Sequence, residues 1–180
     1  MKEHLTIKKT IWYSGLMLTG SVFFACAGCG PVISKEIRDK VSKGLTMRMV
    51  AKDPEAYKGQ IVLWSGIILN TLNLQEGTMI EVLQKPSDFQ GKPKDVDDSE
   101  GRFLILDPRY LDVAIYTQGR KITVAGKIQG KKTQPLDKME YTYPLITALE
   151  TYLWPEDREE RYHHPYPYWW YYPYQPPPWW

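Results

Sequence analysis

Five β-rich segments, separated by polar connections that contain glycine or proline, occupy the middle of the chain. They are rich in β-branched, aliphatic and aromatic residues, as expected of strands, and they cover residues 60–69, 78–84, 101–106, 121–128 and 141–154. Gly66 and Gly126 lie inside two of these segments, which is typical of strands that bend sharply or close a barrel. The pattern predicts a mainly β fold, a small OB-like Greek-key barrel of about five strands.

Helical patterns are short and lie outside the predicted strands. Residues 31–44 combine a capping serine, apolar residues at every fourth position and a final glycine, which predicts one short helix. Residues 53–59 combine an aspartate cap, a proline at the first helical position and a glycine stop. We therefore expect one or two short peripheral helices, and we interpret residues 85–100 and 130–132 as loops.

The first 28 residues have the pattern of a secretory signal peptide. Lys2, Lys8 and Lys9 form a basic start, and residues 11–28 carry no charge and end in small residues. A transmembrane anchor is the alternative, because this uncharged stretch approaches the length that spans a bilayer. Serine, threonine and glycine dilute its apolar character, however, and no basic cluster follows it immediately. We interpret residues 1–28 as a cleaved signal.

Two cysteines at the end of this signal resemble the lipobox of bacterial lipoproteins, in which a cysteine after small residues becomes the lipid-bearing first residue of the mature chain. Cys29 follows Ala27 and Gly28 and is the preferred lipidation site; Cys26, which follows Ala25, is the alternative. The resemblance implies a lipid anchor rather than a membrane span. Neither cysteine is followed by the aspartate that marks inner-membrane retention, so the resemblance also implies the outer membrane.

The aromatic content of 13% hides a segregated C-terminal tail. Residues 155–180 contain seven prolines and many Tyr and Trp, which favours an extended low-complexity segment and places a domain boundary near Trp154. Such rings suit membrane headgroups, cell-wall glycan or an envelope protein partner; alternatively the tail folds back over the barrel. The candidate binding residues are Trp169, Trp170, Tyr171, Tyr172, Trp179 and Trp180.

The charge balance argues against nucleic acid as a partner. The full chain has 23 basic and 21 acidic residues, a net charge of +2. The signal removes three Lys and one Glu, so the mature chain has 20 of each sign and no net charge. Aromatic stacking on nucleic acid is normally combined with a positive groove, and a neutral chain does not supply a general attraction to polyanions.

The distribution of nucleophiles and bases argues against an enzyme. The mature domain up to Trp154 contains no histidine and no cysteine other than the lipidated one, so it cannot form a Ser–His or Cys–His pair or an internal disulfide. We therefore expect no catalytic residues and no cofactor. Glu81, in the second predicted strand, is expected to be exposed, and Arg102 is placed to pair with it.

Two clusters suggest a metal ion, and neither has the required pattern. The acidic loop containing Asp95, Asp97 and Asp98 lacks the glycine and glutamate of an EF-hand, since those positions are Glu100 and Leu106. A solvated acidic loop is the better interpretation. The adjacent His163 and His164 have no third ligand nearby, so we expect no metal site.

The ordered motifs between Cys29 and Trp154 resemble the Slp family of outer-membrane lipoproteins, the starvation-inducible lipoprotein family. The family commonly has proline at the position of Val113, and this departure concerns only a local turn. The matching positions are Asp53-Pro54, Tyr57, Gly59-Gln60, Gly66, Ile68, Thr78, Ile80-Glu81-Val82-Leu83, Gly101-Arg102-Phe103-Leu104, Leu111-Asp112, Tyr116, Gly119-Arg120, Ile122-Thr123-Val124, Gly126, Ile128, Gly130, Tyr141 and Tyr143-Pro144.

The resemblance implies a lipid-anchored protein of the Gram-negative outer membrane that faces the periplasm, and it brings no catalytic residues. The expected organisation is a signal peptide over 1–28, a tether with a short helix over 29–52, the β-barrel domain over 53–154 and the tail over 155–180. The expected function is a non-catalytic structural or binding role in the cell envelope. The alternative is an accessory module that recognises cell-wall glycan or an envelope protein through the barrel face and the tail.

Overall fold

The computed structural model describes residues 30–156. The predicted signal peptide, Cys26, Cys29, the histidine pair and the six aromatic candidates of the tail lie outside the described residues.

Five strands form a closed barrel. They are β1 (Ile61–Leu74), β2 (Gly77–Gln84), β3 (Arg102–Asp107), β4 (Lys121–Leu136) and β5 (Met139–Leu153). The order around the barrel is β1-β2-β3-β5-β4, and β4 pairs with β1 to close it. The pairing of β3 with β5 is parallel and the other four pairings are antiparallel. The predicted five-stranded, OB-like Greek-key barrel is therefore confirmed.

The hairpin of β4 and β5 is longer than the sequence pattern predicts. The sequence pattern predicts a loop over residues 130–132, and that prediction is wrong, because they lie inside β4. The register shifts between Ile128 and Gly130, and pairing then continues to Leu136 opposite Met139. The two lysines after Gly130 resemble loop composition, but a β-bulge absorbs the irregularity without ending the strand.

The helices also differ from their predicted positions. The first, α1 (Lys35–Arg38), has only four residues, and the second, α2 (Met47–Lys52), ends where the predicted 53–59 helix was expected to begin. The Thr46 hydroxyl caps α2 by accepting from the Met49 N–H at 3.2 Å, and Met47 and Val50 are buried in the barrel core. Tertiary burial of this apolar pair outweighs the cap-and-proline signal of residues 53–59, which form turns.

Alternation along the strands separates two apolar layers. Inward-facing residues of all five strands form the main core, in which Trp64 meets Phe103 edge-on with ring centroids 5.1 Å apart. A smaller cluster of Met79, Leu104 and Tyr143 lies on the opposite side of β2, β3 and β5. The barrel is therefore packed inside and partly covered outside.

A polar network closes one end of the barrel around Asp107. Its carboxylate is 1% exposed and accepts two hydrogen bonds from the Arg109 guanidinium, from Nε at 2.9 Å and from Nη2 at 2.7 Å. The Thr151 hydroxyl of β5 donates to the same carboxylate at 3.3 Å. Nearby, the Thr78 hydroxyl accepts from the Leu111 N–H at 2.9 Å, which fastens the segment after β3 to β2.

Gly66→Ala is expected to destabilise the fold by about 1–3 kcal/mol through overpacking. A β-carbon at Gly66 would lie 2.6 Å from Val82 Cγ1 and closer still to the Leu83 carbonyl oxygen. Gly30→Ala is the matched control, because a β-carbon there meets nothing within 4 Å. Urea unfolding of both variants tests this; equal midpoints for Gly66→Ala and wild type would contradict it.

Asp107→Asn is expected to reduce stability at neutral pH by about 1–3 kcal/mol and to flatten its acid dependence. Burial raises the pKa of Asp107, but the hydrogen bonds and positive charge of Arg109 outweigh burial and hold that pKa below its usual value. A carboxylate of this kind stabilises the fold above its unfolded pKa of about 3.9, and the contribution is lost as the pH falls through the folded pKa.

Urea unfolding at a series of pH values from neutral to about pH 3 measures how stability depends on pH in the two proteins. This pH range extends below the ordinary pKa of aspartate. The wild type should lose stability more steeply than Asp107→Asn in the acid range. Asp98→Asn, in an exposed loop, should keep the wild-type slope. Parallel curves for wild type and Asp107→Asn would disprove the role of this carboxylate.

Candidate functional site

A patch on the outer surface of β1 and β4 is buried, although it faces away from the barrel core. Ser65 pairs with Thr123 in the strand register, and these side chains are 3% and 0% exposed. Ala125, two residues further along β4, is 0% exposed as well. Since side chains alternate along a strand, these residues lie opposite the core positions Trp64 and Val124. We call this surface the covered face.

A tight turn over residues 88–92, which we call the Asp88 turn, lies on the covered face. The Asp88 carboxylate oxygen Oδ1 accepts from the N–H groups of Gln90 and Lys92, each at 2.9 Å. The Asp88 N–H donates to the Lys92 carbonyl at 3.0 Å, and the Gly91 N–H donates to the Asp88 carbonyl at 3.1 Å. Phe89 lies within this Asp88 turn and is 75% exposed.

The Thr123 hydroxyl joins the Asp88 turn to the barrel. It donates to the Gly91 carbonyl at 2.6 Å, and the Ser65 hydroxyl donates to the same carbonyl at 2.8 Å. Gly91 has φ +96°, and a β-carbon there would meet Thr123 Cγ2 at 3.3 Å and Val32 Cγ2 at 3.7 Å. Glycine is required because the backbone is left-handed and closely packed.

The N-terminal segment is fixed to the covered face from Val32 onward. The Val32 N–H donates to the Gln90 carbonyl at 3.1 Å, and Ile33 is 2% exposed. Ser34 donates to the Glu150 carboxylate through its N–H at 3.1 Å and its hydroxyl at 2.8 Å. Within the described part of the predicted tether, the exposed residues before this attachment are Gly30 and Pro31.

The C-terminal end of the barrel domain reaches the same place. Trp154 is 8% exposed, and its Nε1–H donates to the Thr123 hydroxyl at 2.9 Å. Its ring packs edge-on against Tyr152 at 4.9 Å, and Lys92 Nζ lies 6.0 Å from the ring centroid. Arg120 donates to the Trp154 carbonyl at 2.8 Å. The covered face therefore carries both ends of the described chain.

The pair of Glu81 and Arg102 is present, as the sequence predicted. Arg102 Nη1 donates to Glu81 Oε1 at 2.9 Å, and the Tyr143 hydroxyl donates to the same oxygen at 3.1 Å. The expected exposure of Glu81 is wrong, since its side chain is 14% exposed beside the outer apolar cluster.

The protonation states around Glu81 support a structural role for this cluster. The hydrogen bond and charge of Glu81 raise the pKa of Arg102 against the effect of burial. Burial, together with the Glu81 charge, raises the pKa of Tyr143. Both donors therefore keep their protons near neutral pH, and the arrangement holds a carboxylate between two fixed donors.

Two carboxylates of the acidic loop are engaged with the protein itself. Asp95 pairs with Lys121 at 2.8 Å, and Glu100 accepts from the Arg48 N–H at 2.9 Å. Among residues 30–156, no group of three or more His, Cys, Asp or Glu side chains is placed to hold a metal ion. No helix in the same range has the length and apolar character to cross a membrane.

The covered face and the Asp88 turn do not follow from the sequence pattern, which predicts only a polar loop over residues 85–100. The local signal was nevertheless present. Aspartate followed by glycine three residues later, as in Asp88 and Gly91, is a turn signature, because aspartate bonds its neighbouring backbone and glycine accepts positive φ. The hydroxyls of Ser65 and Thr123 carried no comparable signal, since polar strand residues normally face water.

Thr123→Val is expected to lower the free energy of unfolding by about 1–3 kcal/mol, because it leaves the buried Trp154 Nε1–H without its acceptor and removes one donor to Gly91. Thr133→Val is the matched control: Thr133 is exposed and bonds the Thr142 hydroxyl at 3.1 Å, so its loss should change stability by less than about 0.5 kcal/mol. Chemical unfolding monitored by circular dichroism distinguishes the two, and equal losses would contradict the assignment.

Several known proteins are similar to this chain. Outer membrane protein Slp of Escherichia coli (strain K12) is 26% identical over 136 residues, which cover 74% of this chain and 71% of that protein. An uncharacterized protein of Haemophilus influenzae is 33% identical over 90 residues, 49% of each chain. Among solved structures, a small single-stranded DNA-binding protein from Streptomyces coelicolor is 13% identical, with a TM-score of 0.33 over 53% of this chain and 94% of that chain.

The family relationship extends over most of the sequence. Residues 26–180 match the outer membrane lipoprotein Slp family, including the stretch between Cys29 and Trp154 in which the ordered motifs lie. That range also contains both candidate lipidation cysteines and the aromatic tail. The chain therefore belongs to the outer membrane lipoprotein Slp family.

Proposed function

We propose that this protein is held at the outer membrane by acyl chains on Cys29, with Cys26 as the alternative, and that it has a non-catalytic structural or binding role in the periplasmic envelope. Family membership supports an outer-membrane lipoprotein. The observation that carries the finer proposal is the attachment of the N-terminal segment to the barrel at Val32, three residues after Cys29.

The short link determines how the barrel meets the membrane. Three residues of extended chain span at most about 10 Å, so acylation at Cys29 holds the covered face against the bilayer surface. Acylation at Cys26 would lengthen the link to about 20 Å. Each buried CH₂ of the acyl chains contributes about 0.8 kcal/mol, so several chains hold the protein firmly.

The position of Trp154 favours lipid as the first surface that the tail meets. Trp154 is bound to Thr123 on the covered face, and the chain continues from there into residues 157–180. The tail therefore starts beside the proposed anchor, and Trp and Tyr suit the headgroup zone. The second candidate is recognition of cell-wall glycan or an envelope protein by the same tail, since Trp and Tyr also suit such interfaces.

Cells grown with radiolabelled palmitate should incorporate label into the wild-type protein and into Cys26→Ala, but not into Cys29→Ala. The acyl-bearing group is attached to the side chain of the lipid-bearing cysteine, so replacing that cysteine with alanine removes the point of attachment. Label that persists in Cys29→Ala and disappears in Cys26→Ala would move the anchor to Cys26. Label in none of the three proteins would overturn lipidation altogether.

The contribution of the tail is measurable in a soluble form of the protein that starts at Gly30, because no acyl chain then holds it to lipid. Truncation of this soluble form after Glu156 should weaken its contact with liposomes. Flotation with liposomes and sedimentation with isolated peptidoglycan, each with and without residues 157–180, measure the difference. Peptidoglycan binding that depends on residues 157–180 would favour the second candidate. Equal behaviour of the two proteins in both assays would rule out a binding role for the tail.

A further inference from the structure

We propose that Phe89 is a membrane-contact residue, and that the Asp88 turn holds its ring in the headgroup layer of the leaflet that carries the lipid anchor. This inference rests on the proposed lipid anchor and adds a specific contact between the folded domain and phospholipid. The proposed occupant of the surface around Phe89 is the bilayer itself.

The structure presents Phe89 rigidly. Four hydrogen bonds within residues 88–92 fix the backbone on either side of it, and the Asp88 carboxylate makes two of them. The Ser65 and Thr123 hydroxyls hold the Gly91 carbonyl against the barrel. Burying the Phe89 ring in the core would require these hydrogen bonds to break. The fold itself therefore keeps the ring 75% exposed.

The N-terminal attachment places Phe89 close to the anchor. Val32 is bonded to the carbonyl of Gln90, the residue next to Phe89. The chain from Cys29 to Val32 spans at most about 10 Å, and neighbouring Cα atoms are about 3.8 Å apart. The Phe89 backbone therefore lies within about 15 to 20 Å of the acylated residue, and it is closer when the link is not fully extended.

The chemistry of the site fits phospholipid. The headgroup zone is about 5–8 Å thick in each leaflet, and the covered face is tied to it by the short link. Aromatic rings are favourable in this zone, where apolar and polar groups meet. A cleft of about 220 Å³ is lined in part by Pro31, Arg38 and Phe89, so an arginine and the phenylalanine share this part of the surface. Arginine suits the lipid phosphate oxygens.

Tyr110 provides a matched control. It is 77% exposed, nearly the same as Phe89. It lies in the segment that follows β3, however, where Arg109 and Leu111 are hydrogen-bonded to Thr78 of β2. The hydrogen bonds that attach Val32 and Ser34 to the barrel go to Gln90 and Glu150 and do not involve Tyr110. A membrane role based on exposure alone would apply to both residues, whereas a role based on the anchor applies only to Phe89.

The test uses the full lipidated chain in vesicles of phosphatidylethanolamine and phosphatidylglycerol. Phe89→Cys and Tyr110→Cys are each labelled with an environment-sensitive fluorophore, and the wild type carried through the same labelling gives the background from native thiols. Lipids brominated near the headgroup end of their acyl chains serve as the quencher. We expect loss of most fluorescence for the label at 89 and unchanged fluorescence for the label at 110.

Each alternative outcome is distinct. Equal quenching at both positions, or quenching at neither while the protein floats with the vesicles, would overturn the inference and leave the anchor in place. A label at 89 that is shielded from aqueous iodide but not quenched by bromolipid would identify a protein contact and also overturn it. Failure of the purified protein to float with vesicles would overturn the proposed anchor and this inference together.

Discussion

The hydrogen bonds that converge on the Gly91 carbonyl and the Thr123 hydroxyl determine how this domain is assembled. Two hydroxyls from adjacent strands donate to one carbonyl, and one of them accepts from the indole of Trp154. All of these groups are buried, and a buried polar group without a partner is costly. The loop after β2 and the end of the last strand are thus fixed together, and the N-terminal segment joins them through the bond from the Val32 N–H to the Gln90 carbonyl. The barrel core alone would not specify that arrangement.

The barrel could be predicted because its determinants are local. Alternating apolar residues and glycines at the bends identify the strands, and a glycine at position 66 is needed where the backbone of β2 approaches closely. The continuation of β4 beyond Gly130 could not be predicted in this way, since residues 131–134 are polar, Pro135 follows them, and the pairing depends on β5. The location of α2 likewise depends on burial of Met47 and Val50 in a core that exists only after the barrel closes.

The covered face shows a second reason why sequence reasoning falls short. A strand with serine and threonine on its outer side has the pattern of a strand exposed to water, yet here the N-terminal segment and the Asp88 turn bury both hydroxyls. Glu81 differs from its expectation for the same physical reason, because Tyr143 covers it from another strand. In each case the missing information is what packs against the second side of a sheet, and that depends on distant segments.

The proximity of the two described ends has a mechanical consequence. Suppose that tension acts between the bilayer and a partner bound beyond Trp154. The contacts from Val32 through the Asp88 turn to Thr123 and Trp154 form a short path between the two points of attachment. Most of the load would follow this path across a single face, and little of it would pull the barrel strands apart.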